Sequence, residues 1–467
     1  MESFLKTLEE VNSAANGIVW GPYMLLLLVG TGIYLTIRTG FFQLSKFGYV
    51  WKHTIGTLFK KQQCDPNESV ANVTPFQAVS TALASTVGVG NIAGVATAIV
   101  SGGPGAVFWM WFSAFFGMCT KYAEILLAVK YRQVSAIGQH FGGPMYYLEK
   151  GLKHGKPLAV LFALFGGLAA FGIGNMTQAR EISVAMDSLL GIPAFVTGLI
   201  LAAITALVII GGIKRISHVT EILVPFMAIF YLIGGLIIII ANIAKIPACF
   251  GLIFSSAFSM EAVGGGILGY MIMRAMRYGF ARGVFSNEAG LGSAPIAHAA
   301  SRTKEPVQQA MWGVFEVFID TIIICSITAI IVIISGQAGV AVDSEGELLT
   351  GGALTALAFS QIGSWGAPFV RIAIFFFALS TILGWSYYGE RCWGYLSNNN
   401  PVVIWGFKLI FVVFIVFGSM GSLTMMWDIA DTLNGMMAIP NLIGLIALSG
   451  VVIKTTKEYF ANIDKSM

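Results

Sequence analysis

The sequence predicts an all-α polytopic membrane protein. Of its 467 residues, 56% are hydrophobic and 11% are charged, whereas soluble globular proteins carry about 25% charged residues. Apolar segments of about 20 residues, the length that crosses a bilayer, recur along the whole chain. The 55 glycines are typical of membrane helices that approach one another closely or break.

About eleven transmembrane helices are predicted, the first of them a retained span because no signal-cleavage site follows it. Lysine and arginine follow the first, third, fifth, seventh, ninth and last spans and are sparse in the alternate loops, which places the N-terminus outside a plasma membrane and the C-terminus in the cytoplasm. The predicted spans are residues 18–37, 73–101, 105–131, 157–187, 193–213, 218–243, 280–300, 307–335, 367–390, 402–421 and 437–453.

One loop departs from this charge rule. The segment Gly264–Arg282 lies outside by counting, yet it holds Arg274, Arg277 and Arg282. We expect it to form an amphipathic helix that lies in the membrane interface before the seventh span. The basic stretch Leu44–Phe59 is expected to do the same before the second span.

Two glycine motifs interrupt the second and seventh predicted spans. Gly88 and Gly90 lie in the first motif, and Gly290 and Gly292 occupy the same places 202 residues later (290 − 88 and 292 − 90). Glycine costs about 1 kcal/mol relative to alanine inside a helix, so each pair favours unwinding. Close helix packing is the alternative for either motif alone. A phosphate-binding loop is disfavoured because neither motif follows a predicted strand or precedes a basic residue at the required spacing.

The same offset predicts an inverted repeat. Pro104 meets Pro306, and each opens the following helix. Five spans separate the two motifs, and an odd number reverses the second copy in the membrane. Two five-helix repeats with discontinuous helices are the pattern of a secondary transporter. We expect the extracellular N-terminus, extra helix and interfacial helix in 1–62, the first repeat in 63–243, the second in 244–454 and a cytoplasmic tail in 455–467.

Four separated segments resemble the alanine or glycine:cation symporter family. They are TVGVGNIAG (86–94), GVFSNEAGLGSAPIA (283–297), FALSTILGWSYYGER (377–391) and DTLNGMMAIPNLI (431–443). The resemblance implies a leucine-transporter-like fold and alternating-access symport of small neutral amino acids, alanine or glycine, with sodium or, in some members, protons. The expected partners are the amino acid, sodium and the lipid bilayer, with no nucleic acid and no required oligomer. An ion channel, which also uses backbone carbonyls, is a further alternative.

The resemblance implies a substrate site built on both breaks. The free amides of Val89 and Gly90 would receive a carboxylate, as helix N-termini do, and the Thr86 carbonyl would receive the ammonium. Asn175 and Gln178 either border this pocket or make ordinary interhelical hydrogen bonds. The second break is expected to close the pocket through Phe285, Ser286, Asn287 and Gly290.

The resemblance also implies a sodium site of hard oxygen ligands. The expected ligands are the carbonyls of Ala84 and Val87 with the hydroxyls of Ser380 and Thr381, and a possible second site combines Thr86 with Asn91. The alternative for both hydroxyls is a bond back to the preceding helical turn.

Charged residues inside predicted spans are functional candidates by default. Glu288 could carry a proton or organise the second break, and Trp385 could form an inner floor of the pocket. We expect Lys121 and Glu124 to neutralise each other and Arg180 with Glu181 to line a gate. Glu316 and Asp320, like charges one helical turn apart, should need either a cationic partner or a shifted pKa. The sequence has no catalytic triad, metal cluster or P-loop, so neither enzymatic activity nor a cofactor is expected beyond sodium as the coupling ion.

Overall fold

A computed structural model describes residues 2–58, 72–135, 137–258, 265–343, 346–361, 363–421 and 423–464. The predicted boundary at residues 62–63 and Gly264 lie outside this part of the chain. The described chain is almost entirely helical, with one antiparallel hairpin that pairs Gln133–Val134 with His140–Phe141. The helices are α1 (Glu2–Val19), α2 (Pro22–Arg38), α3 (Phe42–Ser45), α4 (Phe47–His53), α5 (Ile55–Leu58), α6 (Pro75–Thr86), α7 (Val95–Gly102), α8 (Ala106–Lys130), α9 (Pro144–Gly151), α10 (Lys156–Phe171), α11 (Thr177–Leu190), α12 (Ala194–Ile209), α13 (Gly212–Ala241), α14 (Ile246–Phe258), α15 (Gly265–Asn287), α16 (Pro295–Ala299), α17 (Pro306–Val317), α18 (Ser326–Ser335), α19 (Gly351–Ser360), α20 (Gly366–Leu396), α21 (Pro401–Met420), α22 (Leu423–Ala447) and α23 (Ser449–Asp464).

The fold is that of a multi-pass helical membrane protein. Within the described residues, eight helices are long and apolar enough to cross a membrane, and the bent pair α6–α7 makes a ninth. The two remaining predicted spans correspond to α12, which has 16 residues, and to the interrupted pair α15–α16. The count of eleven and the inverted repeat therefore stay predictions.

The first break separates α6 from α7. A capping box starts α6, because the Thr74 hydroxyl accepts the Gln77 amide hydrogen while the Gln77 side chain accepts that of Thr74. The helix ends at Thr86, a π-helical turn runs from Gly90 to Gly94, and the two halves differ in direction by 46°. A π turn leaves carbonyls without their usual partners and is frequent at functional sites.

The second break separates α15 from α16 at residues 288–294. Ser286 and Asn287, which we expected to belong to the break, are instead the last residues of α15. Gly290 and Gly292 have φ values of 95° and 83°, which are accessible to glycine at no steric cost. Glu288 also lies in the left-handed region, with φ 56°, and such a conformation needs support from its surroundings.

The predicted interfacial helix at Gly264–Arg282 is wrong as a separate element. Residues 265–287 form one uninterrupted helix that leads directly into the second break. The last arginine of the segment, Arg282, is buried and paired with Asp431 of α22. An arginine with a buried acidic partner belongs inside a helical bundle, which is why charge counting misplaced the start of this span. The other predicted interfacial stretch forms the short helices α3, α4 and α5, and its last residue lies outside the described part.

Close packing of α8 against α15 and α17 positions the second break. Gly279 of α15 lies so near α8 that a Cβ atom there would meet the Ala106 carbonyl oxygen at 2.5 Å and the Trp109 Cβ at 2.7 Å. Small residues allow this approach of two backbones, as is common in membrane helix pairs.

Replacing Gly279 with alanine should therefore destabilise the protein. Because the added Cβ meets backbone, the clash should cost about 1–3 kcal/mol and lower the melting temperature in detergent. Gly406→Ala is the matched control, since a Cβ at Gly406 meets no atom within 4 Å and alanine favours the helix. Equal melting temperatures for the two variants would contradict the predicted packing.

Candidate functional site

The first break and α20 bring together three of the four expected sodium ligands. The Ala84 carbonyl accepts hydrogen bonds from the Ser380 hydroxyl at 3.2 Å and from the Thr381 hydroxyl at 3.1 Å. Both hydroxyls also contact the Phe377 carbonyl in the preceding turn of α20, so the helix-internal bond named as the alternative is present as well. The result is a buried cluster of neutral oxygens beside Gly88.

At Val87 and Thr86, whose carbonyls are the other expected ligands, the hydrogen bonds found among the described residues involve the amide and the side chain. Val87 follows the last residue of α6, and its amide still donates to the Leu83 carbonyl. The Thr86 hydroxyl bonds back to Ala82 and Leu83 within the same helix. The Thr86 side chain thus follows the helix-internal pattern.

Side chains occupy the free amides of the first break. The Gly88 amide donates to Asn91 Oδ1 at 2.9 Å, and the Val89 amide approaches Gln178 Oε1 at 3.5 Å. Gln178 is in turn fixed by its Nε2, which donates to the Ile173 carbonyl at 2.9 Å. The amides therefore meet acceptor oxygens, the type of atom that a substrate carboxylate would supply.

Asp320 connects the two breaks through both of its carboxylate oxygens. Asn91 Nδ2 donates to Oδ1 at 2.6 Å, while the hydroxyls of Ser286 and Thr321 donate to Oδ2 at 2.9 and 2.8 Å. Asp320 is fully buried, and no ion pair of this residue is found among the described side chains. A buried carboxylate held only by neutral donors is costly unless a cation or a proton neutralises it.

Polar side chains from three neighbouring helices hold the second break. Glu124 Oε1 accepts from the Gly290 amide at 3.1 Å and from Asn441 Nδ2 at 2.6 Å. Glu288 accepts from Trp385 Nε1 at 2.8 Å and from the Ser293 hydroxyl at 2.6 Å. These bonds support the strained backbone at Glu288 and join the second break to α8, α20 and α22.

A buried ionic cluster contacts the end of α15, next to the second break. Lys121 donates to the Asn287 carbonyl at 2.7 Å and pairs with Glu316 at 3.3 Å, and His298 contacts Glu316 at 2.7 Å. The predicted neutralisation of Glu124 by Lys121 is therefore wrong, because the lysine ion pair is made with Glu316. The expected need of Glu316 for a cationic partner is confirmed by Lys121.

An aromatic ring and an ion pair pack around Phe285. The Phe285 and Trp427 rings are in contact at a tilt of 35°, with centroids 4.8 Å apart, and the Arg282 guanidinium lies 4.9 Å from the Trp427 ring. Arg282 reaches both carboxylate oxygens of Asp431, at 2.8 and 3.1 Å. Phe285 also lies against Gly90, so this group closes one side of the first break.

Three further predicted residues, Asn175, Arg180 and Glu181, make their described contacts with other helices or with a separate cavity. Asn175 Nδ2 donates to the Phe411 carbonyl at 2.7 Å, which fits the interhelical alternative. Arg180 donates to the Ser419 carbonyl rather than to Glu181. Glu181 lines a separate cavity between α11, α19 and α20.

Sequence reasoning missed two hydroxyls that satisfy the π turn of the first break. Thr328 donates to the Asn91 carbonyl at 2.7 Å, and Thr355 donates to the Ile92 carbonyl at 3.0 Å. The contacts of Asp320 with both breaks were not predicted from the sequence either. The available signal was the glycine-rich break itself, because unwound backbone at membrane depth frees carbonyls that each need a donor.

Two interrupted helices that offer backbone groups and hard oxygen ligands to one buried region define the class of membrane transporters with discontinuous helices. A solved structure of MhsT in complex with L-phenylalanine shares this fold, with a TM-score of 0.54 at 14% identity, covering 85% of this chain and 99% of that one.

The chain belongs to the sodium:alanine symporter family, whose model matches residues 5–467. It is 51% identical over 450 residues to the sodium/alanine symporter AgcS of Methanococcus maripaludis, covering 96% of each chain. It is 36% identical over 461 residues to the amino-acid carrier protein AlsT of Bacillus subtilis, covering 98% of this chain and 93% of that one. The resemblance seen in the sequence is thereby confirmed.

Removal of the Lys121 ammonium should destabilise the protein. Lys121→Met leaves the buried Asn287 carbonyl and Glu316 with one partner fewer, and the loss of one member of a buried pair costs about 3 kcal/mol or more. The measurement is the melting temperature in detergent. Lys457→Met, at an exposed position of α23, is the control.

Adding Glu316→Gln to Lys121→Met should recover part of this loss, because the unpaired charge is then gone. A double variant that is less stable than the sum of the two single changes would contradict the ionic assignment.

Proposed function

We propose that the protein is a secondary active symporter that imports small neutral amino acids, alanine or glycine, coupled to sodium by alternating access. Membership of the family supports cation-coupled amino acid transport. The observation that carries the finer proposal is the convergence of the Ala84 carbonyl with the Ser380 and Thr381 hydroxyls at the first break. Carbonyl and hydroxyl oxygens are ligands suited to a hard cation of low charge.

The substrate site is proposed at the two breaks. In this proposal the amino acid carboxylate takes over the Gly88 and Val89 amides, which Asn91 and Gln178 meet in the present structure. The proposed site extends to Gly90 and Thr86, with Phe285 and Ser286 at the end of α15 and Gly290 in the second break. The Phe285 ring lies against Gly90, where even an added Cβ would approach it to 3.2 Å, and this close contact is our support for a short substrate side chain.

Sodium binding would steady the first break and thereby couple the two ligands. A ligand that holds carbonyls and amides of one unwound segment in place lowers the cost of ordering that segment for the second ligand. Such coupling is reciprocal and amounts typically to about 1–3 kcal/mol. No covalent step is required, so we propose a transporter without enzymatic activity.

A proton is the second candidate for the coupling ion, and Asp320 is the observation in its favour. Its carboxylate is buried, contacts both breaks and has only neutral donors among the described residues. Either a bound sodium ion or a proton would remove the cost of that charge. Asn91, named as a ligand of a possible second sodium site, donates a hydrogen bond to Asp320 at 2.6 Å, so a second cation bound to both residues would have to replace this bond.

We also propose a plasma-membrane location with the N-terminus outside and the C-terminus in the cytoplasm. Positive charge on alternate loops supports this orientation, including the absence of lysine and arginine from residues 336–366. On this topology α19, which lies in that loop, covers the first break from the outside.

The proposed function is tested by radiolabelled alanine and glycine uptake into proteoliposomes. Uptake should require an inward sodium gradient and should remain low with a proton gradient alone. Uptake driven equally well by protons would favour the Asp320 alternative, and diffusive flux that does not saturate would favour a channel.

Thr381→Ala should weaken sodium dependence of this uptake. Loss of one hydroxyl ligand should raise the half-saturating sodium concentration roughly tenfold, equivalent to about 1.4 kcal/mol, with a smaller effect on the maximal rate. Thr381→Ser keeps the oxygen and should stay near wild type. Ser386→Ala is the control, since that buried hydroxyl of the same helix bonds only to Leu383. An unchanged sodium titration in Thr381→Ala would show that the Thr381 hydroxyl is not a sodium ligand.

Asp320→Asn separates the two roles proposed for its carboxylate. If a sodium ion lies beside Asp320, the variant should bind sodium more weakly while the pH dependence of uptake is unchanged. If a proton neutralises the carboxylate, the variant should lose its pH dependence and keep its sodium response. Both curves are measured in the same liposomes, and wild-type behaviour in both would show that the carboxylate only positions the breaks.

A further inference from the structure

A cavity lies outside the two breaks, between α11, α19 and α20. It encloses about 210 Å³ and is lined by Glu181, Ala185, Gly352, Ala356, Arg371 and Ile374, among others. A water molecule takes about 30 Å³ of liquid volume, and pockets for drug-sized ligands measure about 300–1,000 Å³. The cavity therefore has the size for a small solute of a few heavy atoms.

Two opposite charges face this cavity without pairing to each other. Glu181 is 4% exposed; its carboxylate contacts the Trp427 side chain, but its Oε1 atom has no hydrogen-bond partner in the part of the chain that the structure describes. Arg371 is partly exposed on α20, and among the described side chains no ion pair or hydrogen bond of its guanidinium is found. A buried carboxylate oxygen without a partner is costly, which points to an occupant that supplies a donor.

The position of the cavity relates it to the proposed transport path. Glu181 follows Gln178 by three residues on α11, so the two side chains are one helical turn apart. Helix α19 separates the cavity from the first break, since the Thr355 hydroxyl holds the Ile92 carbonyl at 3.0 Å. Gly351 and Gly352 at the start of α19 allow the Glu181 carboxylate to lie against this helix, because a Cβ at Gly352 would lie 2.9 Å from Oε2.

We propose that this cavity is a second binding site for a zwitterionic amino acid. The Arg371 guanidinium receives the carboxylate, for which its planar fork is suited, and Glu181 receives the ammonium. Ala185, Ala356 and Ile374 form the apolar wall for a short side chain. The site rests on the proposed function only in that its ligand is the transported amino acid. It would hold that ligand on the outer side of α19 before the first break opens to it.

The test counts bound ligands in the purified full-length protein, with radiolabelled L-alanine as the probe in sodium buffer. Wild type should bind two alanines per chain. Arg371→Gln and Glu181→Gln should each bind one, a twofold loss. Gly90→Leu, which blocks the first break against Phe285 and Ser286, should retain one. Lys457→Gln removes an exposed positive charge elsewhere and should retain two.

A second variant protects the test against misfolding of the charge variants. Ala356→Leu fills the cavity without changing a charge and should also bind one alanine, with size-exclusion profiles showing that every variant is folded. One alanine bound by wild type, or two by Arg371→Gln, would overturn the second site. Sodium-dependent uptake is measured in the same preparation to distinguish the two proposals. Uptake by a protein that binds one alanine would contradict the second site but support the symporter function. A folded wild type without uptake or binding would overturn both.

Discussion

The structure depends on satisfying backbone polar groups that two broken helices release inside a membrane protein. Lipid supplies no hydrogen bonds, so each freed amide or carbonyl must meet a partner from within the bundle. Asn91 and Gln178 meet the amides of the first break, and Thr328 and Thr355 meet its carbonyls. Glu124 and Lys121 do the same for the second break. Most of the buried polar residues near the centre serve this one requirement.

A single carboxylate makes the two breaks one unit. Asp320 accepts a hydrogen bond from Asn91 of the first break and from Ser286 at the edge of the second. A cation or proton that neutralises Asp320 therefore acts on both breaks at once, and a ligand that moves either break changes the surroundings of that charge. This geometry gives a physical route by which cation binding and amino acid binding can influence each other without contact between the two ligands.

The sequence could predict where the helices break but not what holds the breaks. Composition and glycine spacing indicated the membrane fold and both interruptions, and the convergence of Ala84 with Ser380 and Thr381 followed from the family motifs. Long-range partners were missed because no local pattern encodes them: Lys121 and Glu124 are three residues apart, yet the lysine pairs with Glu316 of another helix. The segment ending at Arg282 was misplaced for the same reason, since its partner Asp431 lies 149 residues away. Within the described residues, π turns at Gly90–Gly94, Gly172–Met176 and Phe318–Cys325 carry Asn91, Asn175 and Asp320. These turns have no sequence signature at the level of spacing.

The distribution of strong and weak contacts fits the proposed alternating access. The ionic cluster of Lys121, Glu316 and His298 joins α8, α16 and α17, which pack closely together. Breaking such a buried pair costs about 3–5 kcal/mol, so these helices should move as one body. The first break meets α20 through neutral hydroxyl–carbonyl bonds, each worth only about 1 kcal/mol net. The ion pair between Arg282 and Asp431 also crosses between separate helices, but its side chains are 10% and 12% exposed, whereas those of Lys121 and Glu316 are fully buried, so it is the less costly of the two pairs to separate. The contacts that are costly to break thus lie among α8, α16 and α17, next to the second break. The contacts that are easier to exchange lie between the first break and α20 and between α15 and α22.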